Sequence, residues 1–139
     1  MGAPATPLQD LGKLLLRLSI GGTLIFHGIN KVANGIGFIH QTVAAHGLPD
    51  FVSYGVYAGE VLGPLLVIVG LFSRIGGLLI AANMVFATVL VRSAALTSLN
   101  PQGGAWALEL EALFFLGGLA ILCLGAGRFS LSRGSSALD

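Results

Sequence analysis

The sequence predicts an all-α protein: an integral membrane bundle of four helices, both termini cytoplasmic, with a short amphipathic helix in the first loop. Three observations predict it. Of 139 residues, 55% are hydrophobic and only 9% charged, against roughly 25% charged in a typical soluble domain. Mean hydropathy is +0.90. The apolar residues also fall into four continuous stretches, each near the ~20 residues of helix that cross a ~30 Å hydrocarbon core. A soluble chain this short buries only about two-thirds of its surface. Seven basic and six acidic residues cannot cover the rest. Continuous rather than alternating apolar runs argue against a β-barrel.

The first span is expected over residues 11–32. Asp10 is placed to cap it, and Asn34-Gly35 ends it. Lys13 and Arg17 interrupt its apolar run, and it leads into His27-Gly28-Ile29-Asn30-Lys31 rather than a small-residue cleavage site. It therefore reads as a retained span, not a signal peptide. Met1-Gly2 with Thr6 matches a myristoylation pattern only superficially, and is read as coincidence. The middle loop, residues 33–50, sets Phe38, Ile39, Val43 and Leu48 among polar residues. That is the pattern of a short helix lying on the membrane surface, limited in length by Gly47 and Pro49. Pro49-Asp50 opens the second span, 51–72. Ser73-Arg74 makes a tight turn into the third, 75–96. Asn100-Pro101-Gln102-Gly103-Gly104 separates it from the fourth, 105–124. Gly125-Ala126-Gly127 stops the fourth and leaves a cytoplasmic tail, 125–139.

Basic residues set the orientation. Lys13, Arg17, Arg74, Arg128 and Arg133 fall on one side of the membrane, Lys31 and Arg92 on the other. The positive-inside rule puts the first group in the cytoplasm, so the middle loop faces outward. A net charge of +1 gives no case for nucleic acid. The single cysteine, Cys123, excludes an internal disulfide, a CxxC pair and a cysteine-built metal centre within one chain. It reads as a small apolar packer. His27, His40 and His46 have no metal-ligand spacing, so no metal site is expected.

Charged side chains inside a bilayer cost roughly 2.5–3.5 kcal/mol each at mid-helix. With the orientation applied, the polar residues share one level. His27 and Lys31 lie in the outer part of the first span, with Thr23, His27 and Lys31 on one face. Glu60 lies nine residues into the second, with Tyr57 about one turn before it and Pro64 one turn after. Arg92 sits near the outer end of the third, on the face of Thr88. Glu109, Glu111 and Trp106 sit near the outer start of the fourth. Glu109 and Glu111 are about 200° apart at ~100° per residue, so only one faces inward. Asn83 lies deeper and is placed for an interhelical hydrogen bond. Lys31 and Arg92 are long enough to snorkel to the interface instead. Glu60 is not, so it needs a partner, and Lys31 and Arg92 are the natural ones. Gly55, Gly59 and Gly63 form a small-residue stripe beside Glu60 that allows close helix approach.

These residues together resemble the DoxX family of small membrane proteins. The likeness rests on Arg17-Leu18, Phe26-His27-Gly28 and Lys31; on Gly47-Leu48-Pro49; and on Glu60, Gly63 and Gly70-Leu71-Phe72-Ser73-Arg74. It continues in Glu109-Leu110 and Gly125-Ala126-Gly127-Arg128-Phe129-Ser130-Leu131, with Ser132 where an aspartate is common. It runs from about Leu11 to Ser132. The resemblance implies a single four-helix domain, marks His27, Lys31, Glu60 and Glu109 as family-matching polar positions, and favours Glu109 over Glu111 as the inward glutamate. Relatives of this family are linked to thiosulfate:quinone oxidoreduction and to a membrane oxidoreductase complex that works with detoxifying enzymes. More distant look-alikes act as membrane chaperones.

The expected function is a subunit of a quinone-linked oxidoreductase system in the bacterial inner membrane. His27, Glu60 and Glu109 would handle protons. Lys31, Arg92, Tyr57 and Trp106 would bind the headgroup, the aromatics by stacking. No covalently bound cofactor is expected. Without a flavin, metal or dithiol motif, electrons would come from the substrate or a soluble redox partner. Two other classes compete. One is a non-catalytic scaffold or chaperone that anchors partner proteins or assembles as a homo-oligomer. The other is a small-molecule carrier, weakened by the lack of an inverted repeat or broken helix.

Overall fold

The first helix starts earlier than its apolar run. Helix α1 spans Pro7–Asn34, capped not by Asp10 but by Thr6, whose hydroxyl accepts from the Gln9 N–H while the Gln9 side chain accepts from the Thr6 N–H. This reciprocal box satisfies two amides that lack helical partners. Asp10, one turn in, is buried, and accepts from the Arg128 N–H at 3.2 Å. Gly35, at φ 82°, ends the helix where expected. The computed structural model describes residues 5–101 and 103–139. Met1-Gly2, and Gln102 of the turn before the last helix, lie outside the described residues.

Helix α2, Gly37–Ala45, is the short helix of the middle loop. It buries Val43 and exposes Phe38. Helix α3, Asp50–Val69, follows Pro49 and changes pitch along its length. A 3-10 turn, Asp50–Tyr54, leads through one α-helical turn to a π-helical turn, Ala58–Leu62, and then to regular α-helix, Gly63–Val69. Pro64 explains the dilation. It has no N–H to give to the Glu60 carbonyl, so the ladder is broken there, and the Gly63 N–H reaches back to Ala58. Such π turns occur often at functional sites.

The turn into the next helix is Gly70–Phe72, with Gly70 at φ 75°; Ser73 and Arg74 already belong to helix α4, Ser73–Val91. That helix stops short of the expected 96, so Arg92 caps it rather than lying inside it. A hairpin-like loop follows, in which Asn100 donates to Ala105 and Ala107 to Ser98. It delays helix α5 to Glu109–Leu124. Among the described residues the protein is all-helical, with no strand.

Helix α1 packs on α3 and α5, and α4 lies between α3 and α5. Leu24, Val67, Ile80, Met84, Phe114 and Ile121 form the core. Glycines set the spacing. A Cβ on Gly63 would press on the Gly76 carbonyl at 3.1 Å, and one on Gly77 on the Gly118 carbonyl at 2.5 Å. Gly55, the first of the expected stripe, has open space around it. Among the described residues, two helices, α3 and α4, are long and apolar enough to cross a membrane.

The tail after the last helix is tied down. Arg17, only 1% exposed, donates to the carbonyls of Val67 and Ile68 at the end of α3 and of Ala126 and Phe129 in the tail, all at 2.8–2.9 Å. Arg74 donates to Leu122, Cys123 and Asp139 carbonyls. Ser132 closes onto the Gly70 carbonyl at 2.9 Å. A guanidinium offers five donors in a fixed fork, which is why an arginine, not a lysine, can gather two helix-end carbonyls and two tail carbonyls at once.

Candidate functional site

The site begins at two helix crossings that only glycine permits. Gly28 of α1 lies on the backbone of Glu60, and Gly59 of α3 lies on the side chain of Asn83 from α4. The first crossing sets Lys31, one turn beyond Gly28, over Glu60. The second brings the Asn83 amide to the same carboxylate. Lys31 and Glu60 form an ion pair, and the Asn83 Nδ2 donates to the other Glu60 oxygen at 3.2 Å. Glu60 is 6% exposed and Asn83 9%. Both oxygens of a buried carboxylate are thus satisfied, which is what makes its burial tolerable.

A cavity of about 740 Å³ opens beside this cluster. His27, Lys31, Glu60, Asn83 and Arg92 line it, among apolar side chains from all five helices. The His27 ring meets Phe114 edge-on, with centroids 6.1 Å apart. Arg92 pairs with Glu111 at 2.9 Å and donates to the Ala107 carbonyl at 2.7 Å. The four polar residues expected from the first three spans therefore come together.

The glutamate of the last helix is the other one. Glu111 lines the cavity; Glu109 is exposed and lies outside it. Leu108 and Phe115 sit three before and four after Glu111, on its face, and pack inward. Leu113 and Leu116 share the face of Glu109 and are 62% and 59% exposed. The ion pairs at this cavity are therefore Lys31–Glu60 and Arg92–Glu111, and Glu109 is in neither.

The two aromatic residues also stand apart from the large cavity. The Tyr57 hydroxyl donates to the Lys31 carbonyl at 3.3 Å and its ring lies by Tyr54, so it braces the end of α1. Trp106 donates from its indole to the Leu96 carbonyl at 2.9 Å and lines a smaller cavity of about 210 Å³. Above the large cavity, the His40 ring and Asp50 meet at 2.5 Å and tie α2 to the start of α3. Among the described residues, no three His, Cys, Asp or Glu side chains come together as a metal site.

Comparison with known proteins places the chain. It is 37% identical over 83 residues to a Bacillus subtilis (strain 168) protein named "Putative oxidoreductase CatD". That match takes in 60% of this chain and 61% of the relative, so the chain spans less than two thirds of the relative's length. No solved structure matches. The DoxX family model matches residues 12–93, the stretch that holds His27, Lys31, Glu60 and Arg92, and leaves the last helix outside the match. The protein belongs to the DoxX family.

Proposed function

We propose that this chain is the membrane subunit of a quinone-linked oxidoreductase system, and that a quinone headgroup enters the 740 Å³ cavity beside Glu60. The observation that carries the proposal is the buried Lys31–Glu60–Asn83 cluster set in an apolar wall. Pockets of roughly 300–1,000 Å³ with apolar walls and few convergent polar groups are the usual form of a small-molecule site. A quinone, when bound, accepts electrons and protons. The chain's own part is to hold and deliver the protons. Lys31 has donors left beyond its bond to Glu60, and His27 lines the cavity. Both suit a carbonyl oxygen that gains charge on reduction. Arg92 adds a second cation near the rim. Electrons would come from a soluble redox partner, since the chain's lone cysteine cannot form a dithiol. The name of the Bacillus subtilis relative supports an oxidoreductase setting.

The same proposal sets the four long helices across the bacterial inner membrane as a multi-pass bundle with cytoplasmic termini. Large apolar side chains around its perimeter support this. Leu11, Leu15, Leu18, Phe26 and Ile29 of α1 and Leu113 and Leu116 of α5 are all exposed, and large exposed apolar surfaces mark membrane or protein contact.

The test is mass spectrometry of the lipid-soluble molecules that co-purify in mild detergent, followed by titration with a short-chain quinone. A quinone in the extract, displaced by the added analogue, is expected. An extract without quinone, together with no binding of the analogue, sinks the proposal.

A further inference from the structure

Glu111 lines both cavities, the large one with Glu60 and the smaller one with Thr88 and Trp106. Its side chain is 14% exposed. One oxygen is held by Arg92; the other, Oε2, is buried and has no hydrogen-bond partner among the described residues. A buried carboxylate oxygen left unpaired costs free energy. Oε2 is the oxygen left open to accept a proton from a water in either cavity, while Oε1 keeps its bond to Arg92. The residue is therefore anchored by one oxygen and free to carry a proton on the other.

From these features we infer that Glu111 passes protons between the large cavity and the protein surface beside Trp106, through the smaller cavity. The step is a proton transfer alone. The O–H bond on Oε2 breaks toward an oxygen acceptor in the large cavity, leaving the carboxylate paired with Arg92. A proton from bulk solvent then passes through water in the smaller cavity to Oε2 and re-forms the O–H bond, so that the water is left neutral. No electron moves. A space of about 210 Å³ has room for water; its walls are mostly apolar, and Thr88, Trp106 and Glu111 are its polar side chains. The ionisable groups facing the large cavity with Glu111 are His27, Lys31, Glu60 and Arg92; among the described residues none but Glu111 lines the smaller one. Use of these protons by a quinone rests on the function proposed above. The exchange itself is a property of the protein alone, and can be measured without quinone.

Infrared spectroscopy of the full chain in lipid nanodiscs tests it. A protonated-carboxyl band that shifts in D₂O is expected. It should vanish in Glu111→Gln and survive in Glu109→Gln, whose carboxyl is exposed. Thr88→Leu, which fills the smaller cavity and leaves the large one untouched, should slow deuteration of that band several-fold. Should Glu111→Gln not fold, Glu111→Asp serves instead and should move the band to a new frequency. A band unchanged by either Glu111 substitution, or deuteration as fast in Thr88→Leu as in the native chain, overturns the inference. Neither result bears on whether quinone co-purifies.

Discussion

Gly28 lies so close to Glu60 that a Cβ on Gly28 would stand 2.1 Å from the Glu60 carbonyl oxygen. That contact is backbone on backbone, so no side-chain rotation relieves it. It fixes the depth at which α1 crosses α3, and so fixes Lys31 over the Glu60 carboxylate. The glycine thus belongs to the site although it carries no chemistry.

Gly28→Ala is expected to force the two helices apart. Overpacking of this kind costs roughly 1–3 kcal/mol, and here it also stretches the Lys31–Glu60 pair. Thermal unfolding in detergent reads the loss. A melting temperature equal to that of the native chain would mean that the crossing yields freely.

The ion pairs can be told apart by double-mutant cycles. Glu60→Gln is expected to cost about 3 kcal/mol, the low end for breaking a buried pair, because Lys31 is left without its counter-charge. Adding Lys31→Gln should restore part of that, with a coupling above ~1 kcal/mol, whereas Arg92→Gln should add to Glu60→Gln within ~0.5 kcal/mol. Arg92 pairs with Glu111 instead. Equal coupling to both cations would erase the distinction between the two pairs.

The helical class and much of the polar cluster were legible in the sequence, for reasons that explain the misses as well. Glu60 is a short side chain deep in an apolar run, so it had to find a partner. Lys31 and Glu60 fall at one depth once the helices alternate in direction. Glu109 and Glu111 were not separable from the residues alone, because both faces of α5 carry leucine or phenylalanine and hydrophobic periodicity has nothing to contrast. The loop bonds from Arg92 to Ala107 and from Trp106 to Leu96, together with the Gly77–Gly118 contact, hold the register. Arg17 looked like an interruption of the first span. Its carbonyl partners lie 50 to 112 residues away in sequence, and carbonyl acceptors leave no residue-type signature. Asn83 was placed for an interhelical bond, but its acceptor, Glu60, emerges only from the Gly59 crossing.

Arg17 should be the least replaceable charge in the chain. Arg17→Met leaves four carbonyls of the α3 end and the tail without their donor, and each buried orphan costs roughly 1–3 kcal/mol. Arg17→Lys should be nearly as damaging, since one ammonium cannot span the same fork. Limited proteolysis should then cut between Ala126 and Ser135 faster than in the native chain. A lysine variant with native stability and an uncut tail would show that charge alone, not the fork, holds the tail.

The proposed orientation predicts a labelling pattern. In a Cys123→Ser background, needed because Cys123 is itself exposed, Ala45→Cys on the α2 side should react with an impermeant thiol reagent on intact cells. Ser135→Cys in the tail should react only after lysis. The reverse pattern would invert the bundle and turn the Glu60 cavity toward the cytoplasmic leaflet.

Pro64 is expected to shape the site without touching a ligand. Its missing N–H leaves the Glu60 carbonyl without the helical donor four residues on, and the π turn Ala58–Leu62 precedes it directly. That dilation sets the direction in which Glu60 leaves α3. Pro64→Ala returns the N–H and lets the turn tighten to ordinary α-helical pitch, which swings Glu60 away from Lys31 and Asn83. Global stability should change by no more than ~1 kcal/mol, since the restored hydrogen bond, worth about that much, offsets the poorer packing. The Lys31–Glu60 coupling should fall clearly below its value in the native background. The measurement is the same cycle of Glu60→Gln and Lys31→Gln, repeated on Pro64→Ala. An unchanged coupling would mean that the crossings at Gly28 and Gly59 alone aim the carboxylate, and that the proline merely tolerates the turn they impose.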